Sequence, residues 1–214
     1  GKDGKQYVAV VAGTTLLTWS PTLGQGRSLE KINVAAVGVG GMGRSDLGQI
    51  AGHADTVIVA LCDVDTNSLG AAASQHANAT QFTDFREMFD TMGDKIDAVI
   101  VSTPDHMHAP IAMTALNNNK NVYCQKPLAH SISECRALRA AANAKPNLIT
   151  QMGTQNTAKM MKRRAMKALE EGVVGRVVQL QALTDRAKGW WPQGNPRPEG
   201  SDPVPSNLEW DLWL

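Results

Sequence analysis

Most of the features that would settle the class of a protein at a glance are scarce in this sequence. Its 214 residues include three cysteines, Cys62, Cys124 and Cys135. An odd count without C-x-x-C spacing argues against a disulfide framework and against a zinc site. Five histidines are present, none of them after His130. His53, His76 and His130 read as surface or capping residues without metal-ligand spacing, so no metal is expected. The formal net charge is +1, with no basic run and no acidic tail, which gives no support for nucleic acid as a partner. No apolar stretch reaches the roughly 20 residues that a helix needs to cross a bilayer, so no stable membrane span is expected.

What is present is ordinary globular material, with 43% hydrophobic and 19% charged residues. The length suffices for one full domain and part of a second. Cys62 and Cys124 each end an apolar run and read as small core hydrophobes, and the nine scattered methionines as core filler. The stretch Val8–Trp19 (VAVVAGTTLLTW) is uncharged and follows Lys2 and Lys5, and its length suits the apolar centre of a secretory signal. Residues 1–30 are therefore expected to be an export leader remnant, with a periplasmic or secreted protein as the consequence. The alternative is an N-terminal arm packing on a neighbour in a cytoplasmic protein. Position 1 is Gly, and the chain stops inside WDLWL; incompleteness at both ends is expected.

From Lys31 onward, apolar runs of strand length alternate with helical patterns, the signature of βαβ units and a parallel sheet. Strands are expected at Ile32–Val37, Thr56–Cys62, Gln81–Thr83, Ile96–Ser102, Asn121–Cys124 and Leu148–Met152. Helices are expected from Gly41, over Asn67–His76, from Asp84, over His106–Asn118 and over Ser131–Ala144. Asp84 and Ser131 sit as N-caps, with Glu134 completing a capping box. Beyond these, Thr157–Glu171 reads as a helix and Arg176–Leu183 as a strand of a different sheet. The fold class expected is α/β: a doubly wound parallel (Rossmann) sheet over 31–150, followed by the truncated start of an α+β second domain over 151–214.

Gly38-Val39-Gly40-Gly41-Met42-Gly43 fits G-x-G-x-x-G in the context its mechanism requires, after a strand and at the opening of a helix. Gly38 permits the tight turn, Gly40 lets a pyrophosphate approach the backbone, and Gly43 lets helix and strand pack closely. The amides of Gly41 and Met42 then open the helix toward the phosphates. Asp63 ends the second strand, where a carboxylate accepts hydrogen bonds from the adenosine ribose. It would also repel a 2′-phosphate, and Val64–Ser68 offers no arginine to receive one. NAD is therefore expected rather than NADP. The competing assignment for Asp63, a cap for the next helix, suits Asp65 better.

Two further stretches lie at carboxyl ends of strands, where open α/β sheets bind ligands. They are Thr103-Pro104-Asp105-His106-Met107-His108 and Cys124-Gln125-Lys126-Pro127-Leu128. Taken with VGVGGMG and CDVD, the runs TPDHMHAPIAMTAL and VYCQKPLAHSISECRAL resemble the glucose-fructose oxidoreductase / inositol 2-dehydrogenase / MocA (Gfo/Idh/MocA) family, in its secreted bacterial branch. The resemblance implies that Thr103 and Pro104 line the nicotinamide ribose and that His108 fixes the segment beside it. It implies that Lys126, in the family's Glu-Lys-Pro motif, contacts substrate and nicotinamide ribose and supports proton transfer as the catalytic residue, with a cis Lys126-Pro127 peptide. Gln125 stands where the family usually has Glu. The family's acid/base pair, an Asp and a His on the second domain, has no match here. Gln155 and Asn156 are candidates to face nicotinamide or substrate, and Trp190 and Trp191 for a sugar-stacking platform; the competing readings are polar caps and an ordinary hydrophobic contact.

The function implied is hydride transfer between NAD and a CH–OH carbon of a sugar or cyclitol, by a protein that is a homo-oligomer at full length. One alternative is a glycoside hydrolase using NAD catalytically by oxidation, elimination and reduction. The other is a non-catalytic NAD-binding protein.

Overall fold

The computed structural model describes residues 31–154, 159–183, 196 and 199–213, together with the backbone of 8–12 and 15–19. The chain opens with an antiparallel hairpin, β1 (Val8–Ala12) and β2 (Thr15–Trp19), pairing Val8 with Trp19 and Ala12 with Thr15. This is the stretch considered above as leader or arm.

Six strands then form one sheet: β3 (Ile32–Val37), β4 (Thr56–Cys62), β5 (Thr80–Phe82), β6 (Ala98–Val101), β7 (Asn121–Gln125) and β8 (Thr150–Gly153). Their spatial order is β5-β4-β3-β6-β7-β8, and every pairing is parallel. The helices between them are α1 (Gly41–Ala51), α2 (Thr66–Gln75), α3 (Phe85–Met92), α4 (Asp105–Asn117) and α5 (Ile132–Ala144), followed by α6 (Met160–Glu170). From β3 the chain winds outward through β4 to β5, then returns to lay β6 on the other side of β3. The sheet therefore reverses direction between β3 and β6, and a crevice opens there at the carboxyl ends of the strands.

Both faces of the sheet are covered, as its strands demand. Alternate residues of β3 separate into two cores. Ala35 and Val37 pack with Met88, Phe89, Ile111 and Leu116 on the side of α3, α4 and α5. Val34 and Ala36 pack with Leu47, Ile50 and Leu69 on the side of α1 and α2. Cys62 and Cys124 are buried among them, and burial pushes both thiols up to about 12. They are core residues rather than nucleophiles.

Helix starts follow the capping signals. Asp65 Oδ1 accepts the Asn67 N–H at 3.0 Å and Asp84 Oδ1 that of Arg86 at 2.8 Å. Asn119, in the stop signal after α4, takes φ 58°, the left-handed conformation that asparagine tolerates. One expectation fails. Arg176–Leu183 forms no strand, and Val178, Leu180 and Leu183 are largely exposed. A β-branched, apolar run becomes a strand only on a ladder, and no described segment pairs with it. No described helix is long and apolar enough to cross a membrane.

The capping box of α5 is complete. Ser131 Oγ accepts the Glu134 N–H at 3.3 Å, and Glu134 Oε2 accepts the Ser131 N–H at 2.7 Å. Ser131→Ala should cost about 1 kcal/mol in urea unfolding at neutral pH. The Ser131 hydroxyl, foremost, holds the Glu134 carboxyl below its ordinary value. Its contribution is thus present above the ordinary carboxylate range and lost as pH falls through the depressed value. The stability gap between wild type and Ser131→Ala should accordingly narrow in acid.

Candidate functional site

The site starts from how closely two pieces of backbone approach. Gly38 follows β3 with φ +80°, and a Cβ there would sit 2.6 Å from the Ser102 carbonyl carbon and oxygen, at the end of β6. One turn into α1, a Cβ on Gly43 would run into the Gly38 carbonyl oxygen. Only glycine at these two positions lets α1, β3 and β6 meet at the switch point.

Asp63 closes the loop from the other side. Its Oδ2 accepts the N–H groups of Val39 at 2.8 Å and Gly40 at 3.2 Å, and its Oδ1 accepts that of Asp65 at 3.0 Å. Asp63 thus caps the glycine loop, while Asp65 caps α2. Asp65 also takes bonds from Ser68 Oγ at 2.7 Å and Asn207 Nδ2 at 2.7 Å, which hold its carboxyl below the ordinary value.

Gly38, Gly40, Gly41, Met42, Asp63, Thr103 and Pro104 line one cavity of about 430 Å³, within the range of small-molecule sites. Gly43 lies buried beneath it. The Thr103 Oγ1 atom is buried without a hydrogen-bond partner among the described residues. A buried hydroxyl left unpaired at the wall of a cavity fits a polar ligand group that would complete it. The donor set fits a dinucleotide: a glycine turn and helix N-terminus for the phosphates, a carboxylate for ribose and an orphaned hydroxyl further along.

His108 is buried behind this wall. Its Nδ1 lies 2.6 Å from the Pro127 carbonyl oxygen and its Nε2 lies 2.8 Å from that of Thr103. The ring therefore bridges the segments after β6 and β7, with each nitrogen against a carbonyl oxygen. The Lys126-Pro127 peptide is cis. Lys126 is exposed at the end of β7 and does not line the cavity, whose walls come from the strands nearer the switch point. Gln155, Asn156, Trp190 and Trp191 lie outside the described residues.

Sequence reasoning missed three parts of the site. Asp46, on α1, is buried and bonded by Ser102 Oγ and Gln125 Nε2, both at 2.8 Å. Burial raises its carboxyl above the ordinary value, the two bonds opposing it. Arg86 lines the cavity from α3, but its Nε is held by Asp84 at 2.9 and 3.0 Å. The third part comes from far along the chain. Thr66 N–H donates to Asn207 O at 2.9 Å, Glu209 N–H to Val64 O at 3.0 Å, and His106 Nε2 to Trp213 O at 2.6 Å. Residues 207–213 thus strap the mouth from β4 to α4, with Leu208, Leu212 and Trp213 walling the cavity. The WDLWL run was the available signal, but nothing local says where it docks.

A parallel sheet with a glycine turn at its switch point and a carboxylate ending the next strand defines a dinucleotide-binding Rossmann domain. The profile of the Gfo/Idh/MocA family, an oxidoreductase family with an NAD-binding Rossmann fold, matches residues 32–153, and the chain belongs to that family. It is 31% identical over 155 residues to an inositol 2-dehydrogenase of Rubrobacter xylanophilus, covering 68% of this chain and 42% of the relative. It is 32% identical over 128 residues to a glycosyl hydrolase family 109 protein of Stenotrophomonas maltophilia, covering 55% and 27%. The fold matches the crystal structure of scyllo-inositol dehydrogenase from Lactobacillus casei with bound NAD(H) and scyllo-inositol at a TM-score of 0.64 and 25% identity, covering 68% of this chain and 43% of that one. The chain spans less than half the length of these relatives.

The contact at the switch point is directly testable. Gly43→Ala forces α1 off the Gly38 carbonyl, and its cost should be roughly 3 kcal/mol or more, at the upper end of overpacking. Urea unfolding measures it, and NAD titration of the folded remainder should show binding lost.

Proposed function

We propose that this chain is the cofactor-binding part of an NAD-dependent oxidoreductase acting on a CH–OH carbon of a cyclitol or sugar. The observation that carries the reading is the convergence of the glycine loop, Asp63 and the unpartnered Thr103 hydroxyl on one cavity at the sheet's switch point. When bound there, the nicotinamide supplies the hydride chemistry. The chain's own residues do the rest. Amides of Gly41 and Met42 would hold the phosphates, Asp63 the adenosine ribose, and Thr103 and Pro104 the nicotinamide ribose. Lys126, at the next strand end, donates from Nζ to the substrate oxygen and polarises it.

The wall chemistry favours NAD over NADP. Asp63, Asp65 and Asp84 line the cavity, and its arginine, Arg86, is already paired with Asp84. A 2′-phosphate would meet an acidic surface. Because Asp63 also clamps the loop amides, Asp63→Asn is the cleaner probe: its carbonyl still accepts from the loop, but the charge is gone. Calorimetry should show NAD binding at least about tenfold tighter than NADP in the wild type, a gap of about 1.4 kcal/mol. Asp63→Asn should narrow that gap, and equal wild-type affinities would refute the selectivity.

The glycosyl hydrolase family 109 relative supports a second reading, in which the cofactor is reduced and then reoxidised within one turnover. The two readings differ in product. Incubation of the protein from the whole gene with NAD, myo-inositol and a panel of aryl glycosides should give net NADH with the polyol. Free aglycone without net NADH would favour the second reading. Lys126→Met should lower the rate on the order of 10²-fold or more, the worth of a proton-transfer group, with NAD affinity nearly unchanged.

A further inference from the structure

We propose that Asp46 and Gln125 are a matched buried pair that positions Lys126, and that Asp46 is the reason a glutamine stands before the Lys-Pro dipeptide. The proposal rests on the reading of Lys126 as the substrate-side lysine.

Asp46 is 2% exposed and Gln125 4%. Gln125 Nε2 donates to Asp46 Oδ2 at 2.8 Å, and Gln125 Oε1 accepts the backbone N–H of Lys126 at 3.1 Å. Each partner has a single polarity: an ionised carboxylate only accepts and a backbone N–H only donates. The amide is thereby fixed in one orientation, and turning it over would break both bonds. Gly153 of β8 lies directly against the amide. A Cβ on Gly153 would meet the Tyr123 hydroxyl at 2.7 Å and Gln125 Cδ at 2.9 Å.

An ionised glutamate at 125 could not serve in this place. It would set a second carboxylate oxygen 2.8 Å from Asp46 Oδ2, where two anions cannot both persist. The side chain would have to capture a proton or swing away and release the Lys126 N–H. Asp46 in turn carries the bond from Ser102 Oγ at 2.8 Å, next to Thr103. One chain of hydrogen bonds therefore runs from the lysine at the end of β7, through Gln125 and Asp46 on the glycine-loop helix, to the end of β6. It fixes the Lys126 backbone relative to α1 and to the segment Ser102–Thr103 after β6. Asp46 and Gln125 act through Lys126 and are positioning residues.

The test exchanges the two chemistries. In the protein from the whole gene, Gln125→Glu, Asp46→Asn and the double exchange are compared. Readouts are thermal melting, hydrogen exchange of the Lys126 amide, calorimetric NAD affinity, and NAD reduction with myo-inositol as probe. Gln125→Glu should lower the melting midpoint by roughly 5–10 °C, as expected for an uncompensated buried charge. It should speed exchange of the Lys126 amide and reduce turnover on the order of tenfold or more. The double exchange restores an amide–carboxylate pair of reversed polarity. It should recover most of the stability, the amide protection and the rate. A double exchange no better than Gln125→Glu alone, or unaltered Lys126 exchange in Gln125→Glu, overturns the proposal. Lys126→Met separates the two readings: an unchanged rate in that variant, with rescue of stability and amide protection intact, sinks the role of the lysine and leaves the pair standing.

Discussion

The close approach of Gly38 to the backbone at the end of β6, and of Gly43 to the Gly38 carbonyl, is the contact on which the rest of this structure depends. Rossmann sheets bind at the point where strand order reverses, and a crevice useful to a pyrophosphate exists only if a helix can begin there with its amides facing outward. In this chain Gly38 sits against the Ser102 carbonyl and Gly43 against the Gly38 carbonyl. Side chains at either position would push α1 away from the sheet. The Ser102 hydroxyl would then lose Asp46, Gln125 would lose its partner, and the amides that meet Asp63 would turn away. The two sides of the cavity are held at one spacing by the absence of two methyl groups.

Asp63 shows how one carboxylate can be committed twice. A carboxylate offers about four acceptor positions, and backbone amides of Val39, Gly40 and Asp65 occupy three of them. The position left is on Oδ1, beside the Asp65 amide, so a ribose hydroxyl bound there would join a carboxylate whose other oxygen already holds the glycine loop. On the proposed assignment, recognition of the sugar and the shape of the glycine loop would depend on one side chain.

Much of this was legible in the sequence because it is governed by local rules. The strand runs, the capping roles of Asp65, Asp84 and Ser131, and the glycine turn all depend on residues within a few positions of one another. The strand expected at Arg176–Leu183 was lost for the opposite reason: a strand is defined by its neighbour, and no described segment pairs with it. Asp46 was invisible because a lone aspartate on a helix reads as a solvent-facing residue. What buries it is the return of Ser102 and Gln125 from 56 and 79 positions away. Arg86 escaped notice similarly, since the search for a phosphate-binding arginine followed Asp63 along the chain, whereas the cavity is also bounded by the segment after β5.

The strap over the cavity has a kinetic meaning. Asn207 reaches Asp65 across 142 positions, so this contact closes one of the longest loops in the chain. The entropy of closing such a loop must be met before its few hydrogen bonds return anything. The glycine turn and its neighbouring strands assemble through much shorter loops. Loop length alone thus favours formation of the pocket floor before its roof, leaving the strap the part of the wall most easily opened to water.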